Sequence, residues 1–345
     1  MASLKQIAAE LGVSYTLVSK VLSGRLGTTG VSVATREAIR QKAAELDYTP
    51  NRLAVALKAG RKGAIAVFLH GIGSAGSDVT DRILKGLAEG LEKSGQRMLL
   101  RFFMTAQEFV EACDVRLRSE VDGLIVAGAG HPELLPRFRE LESKNVKVVS
   151  MFASLAGRGL NRWTNAAVDY EMQGYLPAKH LLDKGFRRIA CLNTEASRTE
   201  GFRRAFSEAR LRVSSSQLIR CESFHLEDGI AVADTIRDGS WEAVVCQSDA
   251  QAVGLINTLI RQGVRIPEDI RITGIDNSPL AKSCIVPITS VTSEMRPSGL
   301  KAVELLLKKI DGQPVESVTL RPKLEVRESS AGSKSSRRSP DPRSR

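Results

Sequence analysis

Gly71, Gly73 and Gly76 stand at the spacing G-x-G-x-x-G, between an apolar strand-like run at 64–69 and a helical pattern beginning at Val79. Glycines so placed let a backbone approach a pyrophosphate, the chemistry of a dinucleotide site. Such a site also needs an acid at the end of the second strand, to take the ribose hydroxyls. Here that strand reads Met98-Leu99-Leu100-Arg101-Phe102-Phe103-Met104, without a carboxylate. Arg101 suits a 2′-phosphate, so an NADP-dependent oxidoreductase is the form of this reading that survives. A loop shaping the mouth of a ligand cleft is the alternative.

No other residue set is spaced for covalent or metal chemistry. Cys113, Cys191, Cys221, Cys246 and Cys284 are scattered without a C-x-x-C pair, which argues for reduced, buried thiols. His70, His131, His180 and His225 form no ligand spacing. A nucleophile elbow and a phosphate-binding P-loop are both missing from the sequence. The expectation is a protein that is not an enzyme and uses no metal and no cofactor.

Polyanion chemistry is better supported. Residues 1–62 carry 10 Lys and Arg against 4 Asp and Glu, and residues 331–345 carry 5 against 1, while the stretch between holds 35 against 34. A nearly neutral body thus bears a basic head and a basic tail, as expected of a head that meets nucleic acid. With 345 residues the chain exceeds one ordinary core. Its apolar runs fall far short of the ~20 residues of a membrane span, and its first residues lack the apolar centre of a signal peptide. The expected place is the cytoplasm, with no membrane partner.

Elements able to position this chemistry are legible in the head. Leu4, Ile7, Ala8 and Leu11 share one helical face, Gly12 permits a turn, and Ser14 is a natural cap for a helix over 15–22. Leu17, Val18, Val21 and Leu22 would point inward, leaving Tyr15, Thr16, Ser19 and Lys20 outside. A third helix is expected over 33–46. Thr49, Pro50 and Gly60 then bracket a short helix as cap, first position and stop.

Taken together, "SLKQIAAELGVSYTLVSKVLSG", "TREAI" and "LDYTPNRLAVAL" resemble the DNA-binding head and hinge helix of the LacI/GalR family of bacterial transcription regulators. The resemblance implies that the second helix enters the major groove, with Tyr15, Thr16 and Lys20 at base edges. It places Ser3, Ser14, Leu17, Ser19 and Ser23 at the phosphate backbone, where contacts fix register. It places Asn51, Ala54 and Leu57 on the minor-groove face of the hinge helix, Leu57 wedging between central base pairs.

From Gly63 onward strand-like runs alternate with helical patterns, the signature of βαβ units. The segments "VDYEMQGYLPAKHLLDKGFRRIACL" and "SDAQAVGLINTLIRQGVRIPEDIRITGIDNSPLA" resemble the family's effector core, shared with periplasmic sugar-binding proteins. The fold class implied is α/β: a helix-turn-helix head with a hinge helix, then a two-lobed periplasmic-binding-protein-like core of parallel sheets flanked by helices. The expected division is 1–48 for the head, 49–62 for hinge and linker, 63–330 for the core and 331–345 for a disordered basic tail. Within the core, 63–161 with 290–320 and 162–289 with 321–330 would form the two lobes.

For the effector, the resemblance points to Arg198 as a fork of donors, Asp276 as an acceptor, Phe224 as a stacking ring and Ser248 as a polar neighbour. Phe152, near the lobe crossover, is a further candidate. Bland readings stand beside these: an internal Arg198–Asp276 ion pair, Phe224 as core, and Asp249 as a helix cap.

The function expected is that of a sequence-specific DNA-binding transcriptional regulator, a repressor, acting as a homodimer on a near-palindromic double-stranded operator. A small-molecule effector, first a carbohydrate and second a nucleobase, would control it. The rival reading is a solute-binding protein of a transport system, which the basic head opposes.

Overall fold

Three helices make the head of the computed structural model, which describes residues 3–22, 30–48, 60–70, 78–128, 132–152, 163–193 and 195–331. They are α1 (Leu4–Glu10), α2 (Tyr15–Leu22) and α3 (Val33–Glu45). Ser3 and Ser32 cap α1 and α3 through their side chains, accepting from the amides of Gln6 and Thr35. Gly12, at φ 63°, makes the turn between α1 and α2 in a conformation that side-chain-bearing residues rarely adopt. Ile7, Ala8, Val18, Val21, Ile39 and Ala43 close a small core of their own, and Lys42 joins α3 to Glu10 of α1 at 3.4 Å. Ser23, the hinge positions Asn51, Ala54 and Leu57, the 71–76 glycine loop and residues 332–345 of the tail lie outside the described residues.

The first lobe runs β1 (Ala64–His70), α4 (Val79–Lys93), β2 (Arg97–Phe103), α5 (Ala106–Ala112), α6 (Val115–Glu120), β3 (Gly123–Gly128), α7 (Leu135–Ser143) and β4 (Lys147–Phe152). Its four strands are parallel in the order β2-β1-β3-β4. Residues 64–69 are buried throughout, as a central parallel strand covered on both faces must be. Phe68 faces Phe103 and Phe109, while Ile65, Val67 and Leu69 face Ile83 and Leu87 of α4. The helical stretch over 106–120 is not continuous. It breaks because the Asp114 carboxylate accepts from the Leu117 amide at 2.8 Å and starts a new helix.

Next come β5 (Ala166–Val168), α8 (Tyr170–Asp183), β6 (Ile189–Asn193), α9 (Ala196–Glu208), β7 (Leu218–Arg220), α10 (Leu226–Ala231), α11 (Ala233–Asp238), β8 (Ala243–Val245) and α12 (Asp249–Arg261). The chain ends through β9 (Arg271–Asp276), α13 (Pro279–Ser283), β10 (Thr289–Thr292), α14 (Met295–Ile310), β11 (Val318–Leu320) and β12 (Leu324–Glu325). The second sheet has the order β12-β10-β9-β8-β6-β7, parallel except where β12 meets β10. α10 and α11 meet at Val232.

Lobe boundaries differ from those expected. Residues 164–168 stay with the first lobe, because Asn165 bridges Ser150 and β5 pairs with β11 while its Ala166 and Val168 fill the first-lobe core. Conversely, 290–292 stay with the second, because β10 continues the ladder of β9. The crossings therefore lie at Asp169, at Ser293 and between β11 and β12. Neither of the first two carries a glycine or proline signal, so periodicity alone misplaced them.

The helices that carry the candidate ligand residues are locked by close backbone contact. A Cβ added to Gly174 of α8 would sit 1.7 Å from the Arg198 carbonyl oxygen, and one on Gly201 of α9 1.8 Å from that of Glu171. The two helices thus touch at Arg198 itself.

Candidate functional site

On the head, the outer face of α2 presents the residues expected at DNA. Ser14, Tyr15 and Thr16 are exposed and Ser19 and Lys20 half-buried. Thr16 and Lys20 are one turn apart, as are Tyr15 and Ser19, so the four form one compact patch. Ser3 Oγ and Ser14 Oγ accept from the amides of Gln6 (3.2 Å) and Leu17 (3.1 Å), which leaves each hydroxyl proton to donate outward. Leu17 is less suited to the phosphate role. Its side chain packs on the head core, and its amide is already engaged by Ser14.

In the second lobe, Arg198 is held in place from two sides. It is 5% exposed, its Nε donates to Gln173 Oε1 at 3.0 Å and one terminal nitrogen donates to the Gln247 carbonyl. Both neighbours are themselves held. Gln173 Nε2 reaches the Thr292 carbonyl at 3.2 Å, and Gln247 Nε2 donates to Thr199 Oγ1 at 2.9 Å. The guanidinium lies 5.0 Å from the Tyr170 ring centre and 5.3 Å from that of Phe224, within cation–π range of both. Two anchored bonds and two aromatic neighbours leave the other terminal nitrogen of the fork uncommitted among the described residues.

Asp276 ends β9 with φ 114°, followed by Asn277 at φ 48°. Two consecutive non-glycine residues in the left-handed half of the map mark stored backbone strain. Its carboxyl is raised from 3.8 to about 7, first because it is buried, with Asp249 and Asp78 adding negative charge and Arg198 and Arg82 opposing. Among the described residues the Asp276 carboxylate accepts no hydrogen bond and has no cation within ion-pair distance. The expected alternative of an internal Arg198–Asp276 pair is therefore not formed, although the two feel each other's charge.

The remaining candidates separate. Phe224 is half-buried beside Arg198 rather than sealed in a core. Ser248 caps α12, accepting from Gln251 N at 3.0 Å and donating to the Phe224 carbonyl at 2.7 Å. Asp249, expected as the cap, is not one. It sits one residue inside the helix, buried, and accepts from Ser278 N (2.7 Å) and Ser290 Oγ (2.5 Å), its carboxyl raised to about 6 by burial. Phe152 ends β4 opposite Gly128, at the same end of its sheet as the other cleft residues of theirs.

Residues 3–51 match the family model of bacterial regulatory proteins of the lacI family, and residues 178–330 match that of the periplasmic binding protein-like domain. The chain thus joins a LacI-family DNA-binding head to a periplasmic-binding-protein-like domain. The PurR transcriptional repressor of Vibrio vulnificus strain CMCP6 is 29% identical over 345 residues, spanning 95% of this chain and 98% of that one. The PurR repressor of Pasteurella multocida strain Pm70 is 28% identical over 349 residues, with the same coverage. Among solved structures, the transcriptional regulator CelR in complex with cellobiose has 25% identity and a TM-score of 0.68, covering 95% of this chain and 100% of its own. The lac repressor dimer bound to operator and the anti-inducer ONPF shares the fold, with 22% identity, a TM-score of 0.72 and coverages of 96% and 99%. These LacI-family relatives are transcriptional regulators rather than enzymes. No helix among the described residues is long and apolar enough to cross a membrane.

Sequence reading missed Tyr170, Gln173 and Gln247, which fix and flank Arg198, and the Asp78–Arg82 pair of α4. Tyr170 had a signal, an aromatic directly after the capping Asp169. Gln173 and Gln247 had none, since each acts through a partner distant in sequence. Arg82 had one as well, a cation in the first turn of a helix, where the dipole disfavours it.

Proposed function

We propose that the chain represses transcription by binding an operator as a homodimer, and that a small molecule held between its lobes controls that binding. Tyr15, Thr16 and Lys20 read base edges in the major groove, with Ser3, Ser14, Ser19 and Ser23 at flanking phosphates. Asn51, Ala54 and Leu57 engage the minor groove at the operator centre. One such head covers few base pairs, so two related by a twofold axis supply affinity on a near-palindromic site.

The observation that carries this reading is the pairing, in one chain, of an exposed polar face on α2 with a fixed, only partly satisfied Arg198 beside the unpaired acid Asp276. The first is a nucleic-acid reader. The second is a ligand site without a matched acid, base or nucleophile to do chemistry. Arg198 gives a donor, Asp276 takes a hydroxyl or N–H, and the Phe224 and Tyr170 rings cover an apolar face. A carbohydrate fits such a set, and the cellobiose of the CelR complex supports that choice; a nucleobase is the second candidate. Phe152, at the end of β4, is the first-lobe candidate. Closure on the effector biases the paired first lobes and so the hinge, a reciprocal coupling of two sites.

The test is selection of DNA from a random pool by the full chain, followed by footprinting with and without carbohydrates and nucleobases. Enrichment of a twofold-symmetric sequence, with protection that changes in one metabolite, is the expected result. No enriched sequence would remove the DNA-reading assignment. Enrichment insensitive to every metabolite would remove the effector assignment.

A further inference from the structure

The first turn of α4 breaks two local rules at once. Asp78 stands at the N-cap yet its side chain caps nothing, and Arg82, four residues on, puts a cation at the positive end of the helix dipole. The two are spent on each other, Arg82 Nε donating to Asp78 Oδ2 at 2.6 Å. Such conflicts between local preference and final structure concentrate where a site needs them.

The rest of the Arg82 fork leaves the first lobe. Nη1 donates to the Asp276 carbonyl at 3.0 Å and approaches Ser293 Oγ at 3.4 Å, and Nη2 donates to the Asn277 carbonyl at 2.9 Å. These carbonyls belong to the two consecutive strained residues that end β9. The second lobe holds the same turn by its other atoms. Asn277 N donates to Ser290 Oγ (2.9 Å), Asn277 Oδ1 accepts from Arg327 Nη2 (2.6 Å) and Ser278 N donates to Asp249 Oδ2 (2.7 Å). Arg82 is thus the first-lobe member of a clamp around one strained turn, and a planar fork meets two adjacent carbonyls as a single point charge does not.

We propose that Arg82 is a positioning residue for Asp276: held by Asp78, it grips the Asp276 and Asn277 carbonyls across the cleft and so fixes the direction in which the Asp276 carboxyl meets a ligand. The inference rests on the reading of Asp276 as an effector acid and deepens it. It gives the first lobe a direct hold on the residue that senses the ligand. Any ligand that turns Asp276, or any rotation of one lobe on the other, must rearrange the bonds of Arg82 and hence the start of α4.

The test uses the full chain without ligand, as wild type, Arg82→Ala and Arg82→Lys, with two readouts. The first is amide hydrogen exchange at Asn277 and Ser278, compared with β1 and β8. The second is titration of the Asp276 carboxyl by carbon NMR of aspartate-labelled protein, its signal assigned with Asp276→Asn. The charged and titratable groups facing that carboxyl are Arg198 of α9, Asp249 of α12, the neutral phenol of Tyr170 of α8, and Asp78 and Arg82 at the start of α4. Arg82→Ala is expected to speed exchange at 277 and 278 at least tenfold, leave β1 and β8 within twofold, and move the Asp276 midpoint up. Arg82→Lys is expected to keep the midpoint near wild type while still loosening the turn, because charge survives and the fork does not. Exchange at 277 and 278 within twofold of wild type in Arg82→Ala would overturn the proposal. So would equal acceleration in β1 and β8, which would make Arg82 a general staple. Failure of the effector reading appears elsewhere, as an unchanged ligand response in Asp276→Asn, and leaves these ligand-free results standing.

Discussion

Ser248 Oγ donates to the Phe224 carbonyl at 2.7 Å while accepting from the Gln251 amide at 3.0 Å, so one hydroxyl both starts α12 and fixes the residue that flanks Arg198. Through that bond it restrains the backbone that carries the Phe224 ring. Ser248→Ala should lose a cap of about 1 kcal/mol. Because the ring is then less restrained, effector affinity should fall several-fold further than the stability loss alone accounts for. Urea unfolding gives the first quantity and ligand titration the second. Affinity equal to wild type would return Ser248 to a purely local cap.

Arg198→Ala removes the donor fork and also strands the buried Gln173 side-chain oxygen. A buried acceptor left without a partner costs about 1–3 kcal/mol, so the variant should be less stable as well as blind to ligand. Operator binding in the ligand-free form should persist if the ligand is an inducer, since the head core shares no residue with this network. Arg198→Lys restores charge without the fork and should recover little of the ligand response. A ligand-dependent change in footprint that survives in Arg198→Ala would sink the assignment.

The raised carboxyl of Asp276 has a definite sign in stability against pH. Burial lifts its folded value from 3.8 to about 7, so between those limits the folded chain holds a proton that the unfolded chain has lost. Stability from this group is therefore complete below about pH 4, declines as pH rises towards 7 and is flat above it, with a limiting slope of roughly 1.4 kcal/mol per pH unit. Asp249, also raised by burial, adds a slope of the same sign. Asp276→Asn should flatten part of the decline between pH 5 and 7 in urea unfolding. Identical pH profiles for wild type and variant would show that Asp276 does not titrate in that range.

Legibility followed the range over which each signal acts. The helix-turn-helix was readable because capping serines, Gly12 and the apolar spacing of Leu4, Ile7 and Ala8 are all local. Strand β1 was readable because a central parallel strand must be apolar throughout. Arg198, Asp276 and Phe224 came from resemblance, but the bonds that fix Arg198 run to Gln173 and Gln247, 25 and 49 residues away, and no local pattern announces them. Asp249 was misread for the opposite reason. An aspartate at a helix start has a strong local interpretation as a cap, and tertiary hydrogen bonds from Ser278 and Ser290 overrode it. The lobe crossings at Asp169 and Ser293 escaped because strand pairing, rather than sequence periodicity, decides which sheet a short segment joins.

Leu57 lies outside the described residues, and its wedge role rests on the hinge motif alone. Inserting an apolar side chain between base pairs exchanges unstacking for a bent duplex that meets more protein. Leu57→Ala should weaken binding to a selected operator by at least tenfold and leave effector affinity within a few-fold. Fluorescence anisotropy with labelled operator measures the first and ligand titration the second. Unchanged operator affinity would count against the wedge.

Asp122 anchors the point where the linker enters the first lobe. Its carboxylate accepts from Lys62 N at 3.0 and 3.1 Å and from Gly63 N at 2.8 Å, and the Arg61–Asp311 ion pair lies beside it. Two backbone amides converging on one buried acid fix the direction in which residues before Lys62 leave the core. Asp122→Ala strands both donors at an expected cost of about 1–3 kcal/mol in core stability. The functional consequence should be larger than that figure suggests, because the paired heads must arrive at a fixed separation to meet both half-sites. Operator affinity should drop while the isolated half-site, bound through one head, is little affected. Effector affinity should be unchanged, the cleft lying at the opposite end of β3 from Asp122. Equal losses on the full operator and on the half-site would mean that Asp122 supports the fold without aiming the heads.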